Sequence, residues 1–235
     1  MKLSGAHIIL TGGSSGIGKE TARLLTEAGA KVLITGTDEQ KLKRVADEIG
    51  CFQVRADVSS QVDVMQTFEK ANEIFGKKLD VLINNAGIGE FDAVEHSVYD
   101  SFQRVFGVNV FGPAMMARQA VPIFKRQGHG AIINVASTSS SKGFGYGSVY
   151  ASSKFALRGL TQSWLDELRE FNIRVMQINP SEVYTAFGNP ERVERVPPPD
   201  KLSPYEVAST IKTMLQMDDR GFIPEVSVWA TNPIS

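Results

Sequence analysis

Thr11-Gly12-Gly13-Ser14-Ser15-Gly16-Ile17-Gly18 is the stretch on which the fold turns. It follows a short apolar run, His7-Ile8-Ile9-Leu10. It opens an amphipathic segment from about Ile17 to Ala28, in which Ala22, Leu24, Leu25 and Ala28 recur on one side and Gly29 supplies the stop. The order is therefore strand, glycine turn, helix. Glycine allows positive backbone angles and lets the main chain approach a ligand closely. The start of a helix offers unpaired N–H groups and a partial positive charge. In this context the turn predicts a dinucleotide pyrophosphate held by Gly12, Ser14, Ser15, Gly16, Ile17 and Gly18. The Gly12-x-x-x-Gly16-x-Gly18 spacing differs from the commoner G-x-G-x-x-G fingerprint.

Working outward, apolar runs keep alternating with helical periodicity. Further strands are expected at Val32–Ile34, Phe52–Val54, Val81–Ile83, Ile132–Val135, Ile173–Ile178 and Glu225–Trp229. Helices are expected over Glu39–Ile49, Val62–Phe75, a long Val98–Gln127, Val149–Phe171 and Ser203–Met217. Ser203, Pro204 and Glu206 form a helix-start signature. Continuous apolar strands between helices predict an α/β fold: a Rossmann-type doubly wound parallel sheet of about seven strands with helices on both faces. No linker divides residues 1–235, which read as one dinucleotide-binding catalytic domain. Ser181 to Leu202 lacks periodicity and carries Pro190, Pro197, Pro198 and Pro199, so a substrate loop is expected at about 181–203.

Composition excludes several classes. The 235 residues are 42% hydrophobic and 22% charged, with 25 Lys+Arg against 26 Asp+Glu. That balance gives no electrostatic reason to expect nucleic acid or an anionic membrane. A single cysteine, Cys51, excludes an internal disulfide framework or thiolate cluster, and is expected to be a small packed residue. His7, His96 and His129 are scattered, so no metal site is expected. No apolar stretch is long enough to cross a membrane, and Met1 to Leu10 lacks a signal peptide's length and cleavage site. The expectation is a soluble, cytoplasmic protein.

Tyr150-Ala151-Ser152-Ser153-Lys154 puts a phenol and an ammonium four residues apart, on one face of a helix. A free phenol has a pKa near 10, and a cation beside it favours the phenolate. Ser137 stands thirteen residues before Tyr150, at the end of the fifth strand. Asn84-Asn85-Ala86-Gly87 follows the fourth strand, Asp57-Val58 the third, and Asn179-Pro180 with Val183-x-Thr185 the sixth. In order and over nearly the whole chain, these motifs resemble the short-chain dehydrogenase/reductase family, with the closest general likeness to 3-oxoacyl-carrier-protein reductases and related carbonyl reductases.

The resemblance implies a nicotinamide-dependent oxidoreductase acting on a ketone/secondary-alcohol pair. Tyr150 would be the general acid/base and Ser137 would stabilise the carbonyl oxygen. Lys154 would also bind the nicotinamide ribose, and Asn109 would hold a water in a proton relay. Asp57 and Val58 would contact adenine. Asn84, Ala86 and Gly87 belong to the second cofactor signature, and Pro180, Val183 and Thr185 would hold the nicotinamide carboxamide. Gly36 stands where NAD-specific relatives carry an acid, and Thr37 follows it, so NADP(H) is favoured over NAD(H). Asp38 is read as the start of the next helix.

Phe91, Phe144, Tyr146, Tyr184 and Phe187 fall on segments expected to border the pocket, suiting an apolar or ring-bearing carbonyl compound. Arginines that dock a carrier protein in some relatives are replaced by Gly128 and Phe171, with Arg126 and Arg169 displaced. Pro180-Ser181 replaces the usual Pro-Gly. A homodimer or homotetramer is implied; Ala114, Ala117, Leu157, Leu160, Trp164 and Leu168 either serve a dimer contact or face the sheet. Two other classes compete. A catalytically silent NADP-binding regulator would typically have lost the tyrosine or lysine. A methyltransferase-like nucleotide enzyme would not need Asn84–Gly87 or Tyr150–Lys154.

Overall fold

The computed structural model describes residues 1–188, 196–198 and 200–231. Seven parallel strands form a single sheet: β1 (His7–Leu10), β2 (Lys31–Gly36), β3 (Phe52–Arg55), β4 (Val81–Asn84), β5 (Gly130–Val135), β6 (Ile173–Pro180) and β7 (Glu225–Val228), in the order β3-β2-β1-β4-β5-β6-β7. Helices α1 (Gly16–Glu27), α2 (Glu39–Ile49), α3 (Gln61–Phe75), α4 (Tyr99–Phe106), α5 (Gly112–Gln127), α6 (Ser148–Leu168) and α7 (Pro204–Gln216) connect and cover them. The chain reverses direction across the sheet between β1 and β4. At such a reversal the outgoing loops part and leave a crevice at the carboxyl ends of the strands.

Strand composition follows position. Central β4 and β6 are buried along their whole length, whereas edge strands β3 and β7 alternate or stay open. Period-2 alternation splits the core into two layers. Ile8, Leu10, Val32, Ile34, Ile83, Ile133 and Ile178 pack with α1, α2 and α7. Ile9, Leu33, Leu82, Ile132 and Val175 pack with α3 and α5. Ala117 and Leu168 belong to that second layer and Leu157 is buried, so these three serve the chain's own core rather than a dimer contact.

The long helix expected over Val98–Gln127 is interrupted. A wider π-turn at Gly107–Phe111 separates α4 from α5, between two glycines and with Pro113 just inside the new helix. The helix-start signature at Ser203 is realised: Tyr205 N donates to Ser203 Oγ at 3.2 Å, and Ser203 N donates to Glu206 Oε2 at 2.8 Å. Asp38 caps α2 by accepting from Lys41 N at 3.0 Å. Ser181 does not take a positive φ; its N–H donates to Val228 O at 2.8 Å, prolonging the β6–β7 pairing. The base of the 181–203 loop is tied by a parallel bridge between Val183 and Leu202. Within that loop Pro190 and Pro199 lie outside the described residues. Among the described residues, no helix is long and apolar enough to cross a membrane.

Candidate active site

The glycine turn and the loop after β4 are built as one unit. Asn85 Nδ2 donates to Thr11 O at 2.9 Å and Gly12 O at 3.0 Å, while Thr11 Oγ1 accepts from both Asn85 N and Ala86 N at 3.0 Å. Gly12 has φ +67, and a Cβ there would stand 2.9 Å from Ala86 Cα. A Cβ at Gly18 would stand 2.1 Å from Gly12 O. Gly16, at φ +50, faces Thr185, which a Cβ would meet at 3.0 Å. The cradle is thus a bare-backbone surface at the mouth of α1, which fits a pyrophosphate between Gly12, Gly16 and the helix N-terminus. Thr11 and Asn85 were not singled out from sequence; the polar side chain ending β1 and the first asparagine after β4 are their only signal.

Other expected cofactor positions divide. Ser14, Ser15 and Ile17 lie on the turn, partly exposed, and Thr37 is exposed at the end of β2. A Cβ on Gly36 would press on Ser14 Oγ at 3.2 Å. Asp57 lies at the end of β3 with its Oδ1 taken by Ser59 N and Oγ, at 2.9 and 2.7 Å. Val58 is buried and would meet a Cβ on Gly112. Asn84 is buried in the sheet and donates to Asn134 Oδ1 at 2.8 Å, so its side chain serves an interior network. Tyr184 and Thr185 line a cleft of about 400 Å³ with Gly16, Glu20 and Tyr205, beside the glycine turn.

Ser137, Tyr150 and Lys154 converge where β5 ends against α6. Ser137 caps a single helical turn, accepting from Ser139 N at 3.1 Å, and its hydroxyl hydrogen-bonds the Tyr150 phenol. Lys154 is buried and donates to Val135 O at 3.0 Å. Gly87 passes beside it: a Cβ there would stand 3.4 Å from Asn109 Oδ1 and 3.6 Å from Lys154 Nζ.

Asn109 sits in the π-turn with its amide fully engaged. Oδ1 accepts from Ile88 N at 2.9 Å, and Nδ2 donates to Ile88 O at 2.9 Å and Ser153 Oγ at 3.0 Å. It clamps the loop after β4 to α6. A water held by this residue would therefore meet its main chain, which a π-turn frees from regular pairing.

The electrostatics depart from expectation. Burial pushes the Tyr150 phenol above its ordinary value, and the Ser137 hydrogen bond offsets part of that rise. The Lys154 ammonium lies 5.7 Å from the Tyr150 ring centre, and burial brings its own pKa down to about 8. Burial is the larger cause, so the protein alone holds a protonated tyrosine.

Phe91 and Phe187 flank Tyr150, with ring centres at 5.4 and 5.6 Å, and Phe144 lies 6.1 Å from Phe91. Tyr146 takes part in no such ring contact and is 70% exposed. His7 and His129, far apart in sequence, converge on Asp80 at 3.5 and 3.3 Å, on the opposite end of the sheet. Among the described residues no group of side chains could hold a metal ion. Burial raises the Cys51 thiol to about 11, which leaves it inert at neutral pH.

Comparison with known proteins agrees with this geometry. The family model for short chain dehydrogenases matches residues 6–195. An oxidoreductase of Thermotoga maritima is 36% identical over 207 residues, covering 86% of this chain and 81% of its own. The crystal structure of the 3-ketoacyl-(acyl-carrier-protein) reductase from Brucella melitensis, complexed with NADH, superposes with a TM-score of 0.88 at 31% identity, covering 99% of this chain and 100% of its own. An alcohol dehydrogenase from Thermococcus sibiricus complexed with 5-hydroxy-NADP gives a TM-score of 0.88 at 27% identity, covering 97% and 98%. With the fold, the glycine cradle and the matched family model in agreement, the chain belongs to the short chain dehydrogenase family and is an NAD(P)-dependent oxidoreductase.

Proposed function

We propose that this chain interconverts a ketone and a secondary alcohol, with NADP(H) as the preferred cofactor and Tyr150 as general acid/base. The observation that carries the reading is the placing of Ser137, Tyr150 and Lys154 around one point beside Gly87. When bound, the nicotinamide supplies or accepts the hydride. Gly12, Ser14, Ser15, Gly16, Ile17 and Gly18 would hold the phosphates, Asp57 and Val58 the adenine side, and Ala86, Gly87, Pro180, Val183 and Thr185 the nicotinamide side. In reduction, Tyr150 donates its proton to the carbonyl oxygen, and its raised pKa keeps that proton available at neutral pH. Ser137 hydrogen-bonds the same oxygen as charge develops on it. Lys154 lends positive charge beneath the phenol and faces the ribose side. Asn109 fixes the loop that carries Gly87.

Preference for NADP(H) rests on the end of β2. Gly36 leaves no acid to repel a 2′-phosphate, Asp38 is spent on its helix, and the hydroxyls of Ser14, Ser15 and Thr37 are the available donors. A cytoplasmic homodimer or homotetramer completes the reading; the exposed rings of Phe111 and Phe155 support self-association. The test is a panel of ketones and alcohols followed by cofactor absorbance, with KM compared for NADPH and NADH. Turnover with a lower KM for NADPH is expected. Tight NADPH binding without turnover of any member would instead assign a cofactor-responsive regulator.

A further inference from the structure

We propose that the substrate is an uncharged, ring-bearing ketone seated against an aromatic wall of Phe91, Phe144 and Phe187 beside Tyr150. The inference rests on the carbonyl-reductase reading above and deepens it.

The wall is pinned from behind. Phe91 and Phe187 come from loops 96 positions apart and meet over Gly89. A Cβ on Gly89 would stand 2.8 Å from Phe91 Cζ and 2.9 Å from Phe187 Cζ. Phe144 lies over Gly147 in the same way, 2.6 Å from where a Cβ would stand. Glycine thus lets each ring rest on main chain. The two supporting loops are tied by Asp92 N donating to Tyr146 O at 2.9 Å, with Tyr146 held at φ +64, a conformation non-glycine residues seldom adopt.

Despite this support the rings stay open, with Phe91 46%, Phe144 49% and Phe187 44% exposed. Three half-exposed rings, two against Tyr150 and the third against Phe91, form an apolar patch beside the proton-donating phenol. Patches of that kind mark ligand surfaces. Their ring faces and edges offer a planar substrate the offset and edge-on contacts that aromatic groups prefer.

Charge argues the same way. Glu90 is matched by Arg104 through two contacts of 2.9 Å, and Asp92 faces His96 at 3.5 Å. Lys142, exposed two positions before Phe144, is a cation on the loop that carries that ring, and a charged substrate would address it.

The experiment compares kcat/KM for an uncharged bicyclic aryl ketone, its carboxylated analogue and a straight-chain methyl ketone of equal carbon number. Wild type, Phe91→Ala, Phe187→Ala and Lys142→Ala are each assayed. The uncharged ring ketone is expected to lead the straight-chain one by about tenfold or more, with the ratio collapsing towards one in both phenylalanine variants. Equal or reversed preference in wild type, or a preference that survives both variants, overturns the proposal and leaves carbonyl reduction standing. A carboxylated analogue preferred in wild type and lost in Lys142→Ala overturns the uncharged class. Should either phenylalanine variant fail to fold, naphthalene as inhibitor of the straight-chain reaction decides: competitive inhibition supports the wall and none overturns it. Failure of every ketone to turn over overturns the carbonyl-reductase reading and this inference with it.

Discussion

Asn179 donates Nδ2 to Glu225 Oε1 at 2.8 Å, joining the end of β6 to the start of β7. The contact lies in a longer chain. Arg158 Nη2 reaches Glu225 Oε2 at 3.1 Å, and Gln177 Nε2 donates to Asn179 Oδ1 at 2.7 Å. Ser140 Oγ stands 3.0 Å from Asn179 Oδ1 and 2.7 Å from Ser137 O. Asn179, Gln177 and Ser140 are buried, so the network fixes the main chain of Ser137 from below. Glu225→Ala leaves the buried Asn179 amide without its acceptor. It is expected to cost about 1–3 kcal/mol of stability and to lower kcat more than it raises KM. Chemical denaturation and steady-state kinetics check both, and Glu225→Gln should recover much of the loss.

Tyr150→Phe removes the proposed proton donor and keeps the ring packing against Phe91 and Phe187. Turnover should fall by roughly 10²–10⁴-fold, with cofactor affinity little changed by calorimetry. Near-normal rates from the purified variant would remove Tyr150 from the chemistry.

Ser137→Ala tests the hydrogen bond that holds the phenol down. Without it, burial acts unopposed and the Tyr150 pKa rises further. The alkaline limb of the reductive pH–rate profile should move to higher pH, while kcat falls by about 10²–10³-fold. A profile that keeps its limb in place would show that the limb belongs to another group.

Lys154 makes a pH-dependent contribution to stability with a definite sign. Its ammonium is buried, and its pKa falls from the ordinary 10.5 to about 8. Below about pH 8 both the folded and unfolded chains carry the proton, and the desolvation penalty is present in full. Between about 8 and 10.5 the folded chain releases its proton first, so the penalty fades as pH rises. The stability of wild type relative to Lys154→Met should therefore increase by ~2–3 kcal/mol from pH 7 to pH 10. Val135 loses a donor in the variant at every pH, so the slope is the measurement, read by denaturation at several pH values.

Gly18→Ala should disturb the phosphate cradle. The added Cβ would fall 2.1 Å from Gly12 O, forcing the turn away from the loop after β4. Cofactor dissociation constants should rise by about tenfold or more, with a stability loss of roughly 1–3 kcal/mol from overpacking. Unchanged values on both counts would show the turn to be pliable.

Much of this was readable from residues alone because buried parallel strands have no polar face to interrupt them. Runs such as Val81-Leu82-Ile83 announce themselves, and the glycine turn identifies which strand comes first. The shared helix face of Tyr150 and Lys154 was readable from their spacing, and Ser137 joined them through the family resemblance. The π-turn was not, since apolar residues recur all along Val98–Gln127, and Gly107, Gly112 and Pro113 mark a weak point without revealing an extra residue in the turn. The meeting of His7 and His129 at Asp80 is a product of topology alone. The raised pKa of the Tyr150 phenol in the protein alone was not readable, because depth of burial is not visible in sequence. Tyr146 and Tyr184 show the same limit: both flank the pocket in sequence, yet one is turned outwards and the other lines the phosphate side.

The π-turn at Gly107–Phe111 also sets a rule about chain length. Each residue of an α-helix advances the next by about 100°. Deleting one residue from this turn would let α4 run smoothly into α5. It would also swing Met116, Ala120 and Phe124 about a quarter-turn out of the sheet layer they fill, by the same ~100°. Keeping those residues in place while straightening the helix would instead drag Asn109 from Ile88. Core and the loop after β4 therefore share a single spacing, and this segment cannot gain or lose one residue without sacrificing one of them.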